Sequence, residues 1–530
     1  MFAADIISQL FLKSSRRSSD QAVLWDFNNN NSNNSPHHAR GMTGRSLDEQ
    51  RLAQLGHQQE LQRRFSLQAL VSLCVCLMAT WEATSTVIAT ALVSGGSPCL
   101  FYNYILSFMF SICVAASLGE IASIYPTAGG QYHWVAALCP GPRKMAAAFF
   151  TGWISVGGQV ILTASAAFAA GLQIQALIVL NSDGYIPTRW QGMLLYWSVL
   201  VYASVLNIYG MRVMPHVNIL SGVIHVTGFV GILVTLAVMT KKTTSRVVFV
   251  DVVNSSGWDN DGVSWLVGLI SAVYPFLGYD AACHLAEELP QPSRNVPLAM
   301  MGSVLVNGIM GLAYVLVLLY SAGSTDLANA PLGFPFMQIY LDATKSRLGT
   351  TIMSIMIIFI AIAATIAGVL ATSRTLWAFA RDQATPFHES LSLISPRLQI
   401  PLNAVVVVVV LQLLLGFIYL GNDTAFNAIL SMAIIGLYLS YLLPVIYMLL
   451  YVLNVMSTMW MITVMIFSLF PSTMPVTAKN MNYSIVVFGG WIMFGLAYYT
   501  LCAKQKFQVP MVDADFISEV ELPSNRLEKS

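Results

Sequence analysis

Apolar residues along this chain gather into twelve stretches of about twenty or more, each long enough for a helix to cross the hydrocarbon core of a bilayer. They lie near 66–93, 100–125, 145–175, 190–210, 216–239, 263–286, 298–320, 350–378, 402–421, 425–450, 453–472 and 482–502. Charged loops separate most of them and none alternates polar with apolar, so the pattern predicts membrane helices rather than a barrel. The expected fold class is an all-α integral membrane bundle of twelve transmembrane helices. One junction is unusual. From Thr424 to Ala478 there is no charged residue, and only Leu453-Asn454 and Ser457-Thr458 mark a turn between spans ten and eleven. Pro444 predicts a break or kink in span ten.

Composition agrees with this pattern and adds exclusions. Of 530 residues 56% are hydrophobic and 10% charged, against roughly 25% charged in a soluble domain. A net charge of +1 offers nothing to a nucleic acid. The seven cysteines show neither a disulfide framework nor zinc spacing, and no nucleophile elbow, paired metal ligands or phosphate loop is present, so neither an enzyme nor a cofactor is expected. Residues 1–64 are polar, with Arg16-Arg17 and an asparagine-rich patch from Asn28 to Asn34, and read as a disordered cytosolic tail. Residues 503–530 form a second tail. Basic residues are equally numerous in the loops of either side, and the flanking Arg63, Arg64, Lys504 and Lys506 tip the balance toward cytosolic termini. A sequon, Asn254-Ser255-Ser256, falls in a long loop placed outside, where such triplets are often accidental.

Two acids lie deep within apolar spans: Glu82, in Trp81-Glu82-Ala83, and Asp280, in Tyr279-Asp280-Ala281. A carboxylate at that depth costs roughly 3 kcal/mol, so it faces a bundle interior or a watery cavity. Around Glu82 runs Ala79-Thr80-Trp81-Glu82-Ala83-Thr84-Ser85-Thr86, whose small and hydroxyl-bearing residues can satisfy backbone groups freed by unwinding. The plainer alternative is that the hydroxyls only pack helices. Before Asp280, Pro275 removes a donor and Gly278 lowers helix propensity, predicting a break between them. Matched interruptions in spans one and six, each opening a five-helix repeat, point to the central site of a transporter.

Other polar residues are candidates for gating or coupling. Glu120 with Tyr125-Pro126 and Gly129-Gly130-Gln131, then Glu287-Glu288, Arg294, Arg374 and Arg381-Asp382, gather at one set of span ends, either as a gate or as ordinary solvated ends. His225 sits in the middle of span five, where an imidazole can carry a proton or simply bond a carbonyl. Gln159 in span three follows Gly157-Gly158, which suits close backbone approach or plain packing.

Ordered blocks carry these motifs from residue 48 to about 500. They include Asp48-Glu49, Leu55-Gly56, Glu60-Leu61, Glu120, Tyr125-Pro126, Gly129-Gly130-Gln131-Tyr132-His133-Trp134, Phe276, Gly278, Asp280, Glu288, Pro292, Arg294 and Pro297. Downstream come Phe379-Ala380-Arg381-Asp382, Pro401-Leu402-Asn403-Ala404 and Pro475-Val476-Thr477. The set resembles the amino acid-polyamine-organocation superfamily, and within it the fungal amino acid/choline transporter branch of GABA and choline permeases. That resemblance implies a LeuT-like fold of two inverted five-helix repeats, about 66–239 and 263–450, with two further helices over 453–502. It implies alternating access around unwound parts of spans one and six. In some proton-driven relatives a basic residue of span five takes the place of a sodium ion, and His225 falls near that position. Departures are Gln383-Ala384 in place of a glycine after Arg-Asp, and the loss of a charged loop between spans ten and eleven.

The expected activity is uptake of a small amino-bearing solute, GABA or another amino acid, driven by protons. Choline or a related amine, and a non-transporting nutrient sensor, are the alternatives. Ala79, Thr80, Trp81, Glu82, Ala83, Thr84, Gln159, Tyr274, Phe276, Gly278 and Tyr279 are the expected substrate contacts. Backbone N–H groups of the half-helices would hold a carboxylate, and Glu82 with the aromatics would meet the cationic end. His225, Asp280, Glu120 and Arg374 are expected to couple protons or gate. The partners are the solute, a proton and the lipid bilayer; the plasma membrane is expected, with the vacuolar membrane as alternative.

Overall fold

The computed structural model describes residues 47–322, 332–421, 425–449, 452–478 and 480–508. Arg16-Arg17, the asparagine-rich patch and the C-terminal tail beyond 508 lie outside them. Two compact units are distinguished, Met1–Gln50 and Arg51–Ser530; of the first only 47–50 are described, and they open a helix, Leu47–Gln54. The second holds every span. Residues 51–64, expected within the tail, are packed: Leu52, Leu55 and Leu61 are buried, and the backbone N–H groups of Arg64 and Phe65 donate to the Glu288 carbonyl.

Among the described residues there is no strand. Ten helical stretches are long and apolar enough to cross a membrane, and Val452–Ser468 is a shorter apolar helix. The first stretch, Leu67–Ile124, is 58 residues long, more than two crossings of about 20 residues need. It is interrupted twice. Ala79, in the left-handed region (φ 43°), separates α1 (Leu67–Met78) from α2 (Thr80–Ile124), and Gly96 (φ 75°), two residues before Pro98, kinks α2. There follow α3 (Gln131–Leu138), α4 (Lys144–Asn181), α5 (Arg189–Tyr209) and α6 (Met214–Met239).

The stretch from Asp261 to His284 is almost wholly enclosed by protein. It comprises α7 (Asp261–Val267), α8 (Ile270–Val273), a 3-10 turn over Tyr274–Phe276, and α9 (Ala281–His284). Leu277 between them is extended and Gly278 has φ 101°, so the break falls where Pro275 and Gly278 predict it. Beyond lie α10 (Pro292–Ser321), α11 (Pro335–Thr344), α12 (Arg347–Arg381), α13 (Leu402–Leu415), α14 (Ala425–Ile446), α15 (Val452–Ser468) and α16 (Ser484–Tyr498). Pro444 does not break α14 in mid-course. It sits in the last turn, two residues before the end, so little helix follows for a kink to displace. The short α14–α15 connection is tied by buried Asn454, which donates to the Met448 carbonyl (2.6 Å) and accepts from the Ser117 hydroxyl (2.6 Å).

Helices α10, α12 and α14 pack against α2 and α4 and enclose the broken segments. Rim helices reverse the soluble pattern. On α6 the buried positions are Asn218, Ser221, His225, Gly228, Ile232 and Leu236, one stripe at helical spacing, while Val223, Val226, Val230 and Val234 are exposed. The polar stripe faces the bundle because lipid offers it no partner. Between α4 and α14 the backbones touch: a Cβ on Gly436 would lie 2.7 Å from the Gly158 Cα. Gly436→Val should therefore cost about 1–3 kcal/mol through overpacking, read as a lower melting temperature of the purified protein, whereas Gly489→Ala, at a position with nothing within 4 Å, should leave it unchanged.

Candidate functional site

A helix broken inside a membrane exposes backbone groups that must find partners. At Ala79 the partner is Asn307 of α10. Its Nδ2 donates to the Val75 carbonyl at the end of α1 (3.1 Å), and its Oδ1 accepts from the Thr80 N–H at the start of α2 (3.4 Å). The Thr80 hydroxyl donates to the Pro275 carbonyl (2.8 Å), joining the two breaks. The unwinding is narrower than the polar stretch suggested: Ala79 alone leaves the helix, and the Thr84, Ser85 and Thr86 hydroxyls donate back to carbonyls four residues earlier.

Beside this break lies a hollow. Leu77, Met78, Ala79, Ala83, Leu162, Ala166, Ala169, Leu277, Ile357, Ala361 and Ala364 form its apolar wall, and Glu82, Thr86 and Tyr274 are its polar members. Glu82 is buried; its Oε1 is 2.8 Å from His225 Nδ1, also buried. Glu82 Oε2 and His225 Nε2 have no protein partner. Gln173 donates to the Thr86 hydroxyl (2.6 Å), and the Ser165 and Tyr274 hydroxyls are 2.7 Å apart.

The other expected contacts are placed elsewhere. Trp81 packs on Tyr314, His225 and Phe229, with centroids 5.2, 5.9 and 6.2 Å away, and Phe276 packs on Tyr104 and Phe108. Tyr279 lies against Tyr441, and Gly278 gives passage between Leu77 and Leu162. Gln159 joins a second cluster, around Asp280. Asp280 Oδ1 accepts from the Tyr441 hydroxyl (2.6 Å); its Oδ2 accepts from Gln131 Nε2 (2.9 Å) and Gln159 Nε2 (3.4 Å) and lies 3.4 Å from His284 Nε2. Among these residues Asn307, Gln173, His284 and Tyr441 were not singled out from the sequence. Each is a polar residue within an apolar span, and the i,i+4 spacing of Asp280 and His284 was a readable signal.

A family model described as amino acid permease matches residues 65–491. The chain belongs to the amino acid permease family. It is 30% identical to a choline transporter of Saccharomyces cerevisiae, covering 84% of this chain and 83% of the relative. It is 28% identical to an amino-acid permease of Arabidopsis thaliana (87% and 96% covered) and 26% identical to amino-acid permease 2 of Neurospora crassa (87% and 88%).

At the end of the permease where residues 57–65 and 503–508 pack, ion pairs close the bundle. Arg374 Nε donates to Glu288 Oε1 (2.7 Å), both buried, and Arg381 grips Glu287 with two nitrogens (3.0 and 2.9 Å) while lying over the Trp377 ring. Removing one member of a buried pair costs about 3–5 kcal/mol, because the other is left as an uncompensated charge. Glu120 is half-buried and stands apart from these pairs. Asn254 of the sequon is engaged on both ends of its amide, accepting from Ser256 and Ser264 and donating to Trp258 and Asp261.

Asp382 accepts from the Tyr132 hydroxyl (2.9 Å) and faces His57 at 3.9 Å. Burial raises its carboxyl to about 7, against the opposing pull of Arg381, and burial holds His57 well below its usual value, with Arg381 adding to the effect. An acid whose value is higher folded than unfolded stabilises the fold at low pH, and loses that stabilisation as pH rises through the folded value. Protection factors in residues 57–65 and 128–132, with the base-catalysed rise in intrinsic exchange divided out, should therefore fall more between pH 5 and pH 8 in the native protein than in Asp382→Asn, where only the opposing contribution of His57 remains.

Proposed function

We propose that this permease is a secondary transporter that takes up a small amino-bearing solute, GABA or another amino acid, with choline or a related amine as the second reading. Glu82 carries the proposal. It is the acid in a mostly apolar hollow whose other polar members are Thr86 and Tyr274; among the described residues one of its oxygens has no partner and no Lys or Arg lines the wall. A cationic amine head fits that oxygen, and an aliphatic body fits the wall. A substrate carboxylate would depend on backbone N–H groups at the Ala79 break. The choline reading draws on the absence of a cationic side chain, on Tyr274 in the wall, and on the choline transporter among the relatives.

Transport in this proposal is proton-driven. The proton sits between Glu82 and His225, whose contact at 2.8 Å lets either group hold it, and an arriving ammonium competes for the same carboxylate. Twelve spans in two inverted repeats rock about the paired breaks, and the pairs Arg374–Glu288 and Arg381–Glu287 open and close the side that faces the cytosol, where both termini lie. The plasma membrane is the proposed location.

Uptake of labelled GABA, choline and neutral amino acids into a transporter-deficient cell separates the readings. Glu82→Gln should reduce uptake of every accepted solute at least tenfold; unchanged uptake would remove Glu82 from the site. His225→Ala should flatten the pH dependence of uptake, and an unaltered profile would rule out the imidazole as carrier. Binding of a solute without flux would favour a sensor instead.

A further inference from the structure

The Asp280 cluster lies outside the hollow and contains a contact that one protonation state alone does not explain. His284 Nδ1 is 3.0 Å from the Ala128 carbonyl, so it carries a hydrogen and donates it. His284 Nε2 is 2.5 Å from Gln159 Nε2 and 3.4 Å from Asp280 Oδ2. Facing an amide NH2, Nε2 accepts, and the imidazole is neutral. Gln159 Oε1 in turn accepts from the Thr375 hydroxyl (2.7 Å), which also has the Ala371 carbonyl at 3.1 Å.

We propose that His284 is a proton-binding site, with Asp280 as its counter-charge and the Gln159 amide as the part that reverses when the proton arrives. The added proton forms an N–H bond at Nε2, and no covalent bond breaks. That N–H can no longer face an NH2 group. A half-turn of the amide presents Oε1 to His284 and the NH2 to Thr375 Oγ1, whose own hydrogen moves to the Ala371 carbonyl. The turned amide gives up its 3.4 Å bond to Asp280 Oδ2, which keeps Gln131 and gains the new N–H of His284; the two ends of the amide have nearly the same shape, so the turn disturbs little packing. Protonation also neutralises a carboxylate buried in a low-dielectric interior, which favours it.

The groups that face His284 and Asp280 are few. On their own segment they are Tyr279 and Cys283; α1 brings Cys74, and α14 brings Tyr441. The nearby charge on α12, Arg374, is committed to Glu288. His284 also packs against Gly130 (φ 54°), where a Cβ would lie 2.9 Å from its Cε1. One proton therefore bears on α4, α9, α12 and the turn preceding α3. This proposal goes beyond Glu82 and His225 and does not rest on them.

Histidine-selective 15N spectra of the full-length protein in lipid nanodiscs, titrated from pH 4.5 to 8.5, test it. The signals lost in His284→Gln should show the Nδ1–H neutral form at high pH and imidazolium at low pH. Asp280→Asn, which removes the counter-charge 3.4 Å from Nε2, should lower the proton affinity of His284 about tenfold, a midpoint shift of about one pH unit, and serves as well if His284→Gln fails to fold. The titration should be the same in Glu82→Gln, whatever becomes of uptake there. A His284 signal that stays neutral across the range, that shows the Nε2–H form at high pH, or that ignores Asp280→Asn would overturn the proposal.

Discussion

Everything at the centre of this protein depends on keeping a broken backbone satisfied where there is no water. Ala79 holds a left-handed conformation that costs an L-residue roughly 1–2 kcal/mol, and the break frees carbonyl and N–H groups on both sides. Asn307 ties the two sides with one amide: its oxygen takes the freed Thr80 N–H, and its NH2 bonds the Val75 carbonyl, which also keeps its helical bond from the Ala79 N–H. Thr80 then spans to the Pro275 carbonyl, so the two interruptions are bound to each other as well as to the surrounding helices. Without these side chains the polar backbone would stand in an apolar interior, at a cost of several kcal/mol per group.

From that constraint the chemistry follows. A break lets Glu82 point into a hollow rather than lie along a helix wall, and the polar stripe of α6 brings His225 to it. The apolar wall has a role of its own. In the proposed transport reaction its low dielectric is what would let a single carboxylate distinguish a cation from a neutral solute. The second break works differently. Asp280 is surrounded by donors from α4, α14 and the segment before α3, and it binds elements together rather than facing the hollow.

Much of the fold was legible along the chain, because the thickness of a bilayer sets the length of an apolar span and leaves little freedom. Pro275 and Gly278 marked the second break correctly, since both act through local backbone geometry. The first break was harder to place. Six small or hydroxyl-bearing residues between 79 and 86 could each have unwound, yet the Thr84, Ser85 and Thr86 hydroxyls bond carbonyls of their own helix and only Ala79 departs from it. The aromatic neighbours of the acids were equally ambiguous: adjacency in sequence says nothing of which way a ring turns on a helix, and Trp81 and Phe276 pack on neighbours outside the hollow.

The sequence by itself determined that this is a multi-span helical membrane protein, that its first and sixth apolar spans are interrupted, and that Glu82 and Asp280 lie inside the bundle, because these follow from periodicity, length and local backbone preference. Tertiary structure decided the partners. That Glu82 meets His225 across 143 positions, that Asn307 closes a break by bonding Thr80 across 227, and that Gln159 meets His284 across 125 depend on which faces of separate helices come together. No local pattern encodes that choice; it is made when buried polar groups from distant spans find one another in the absence of water.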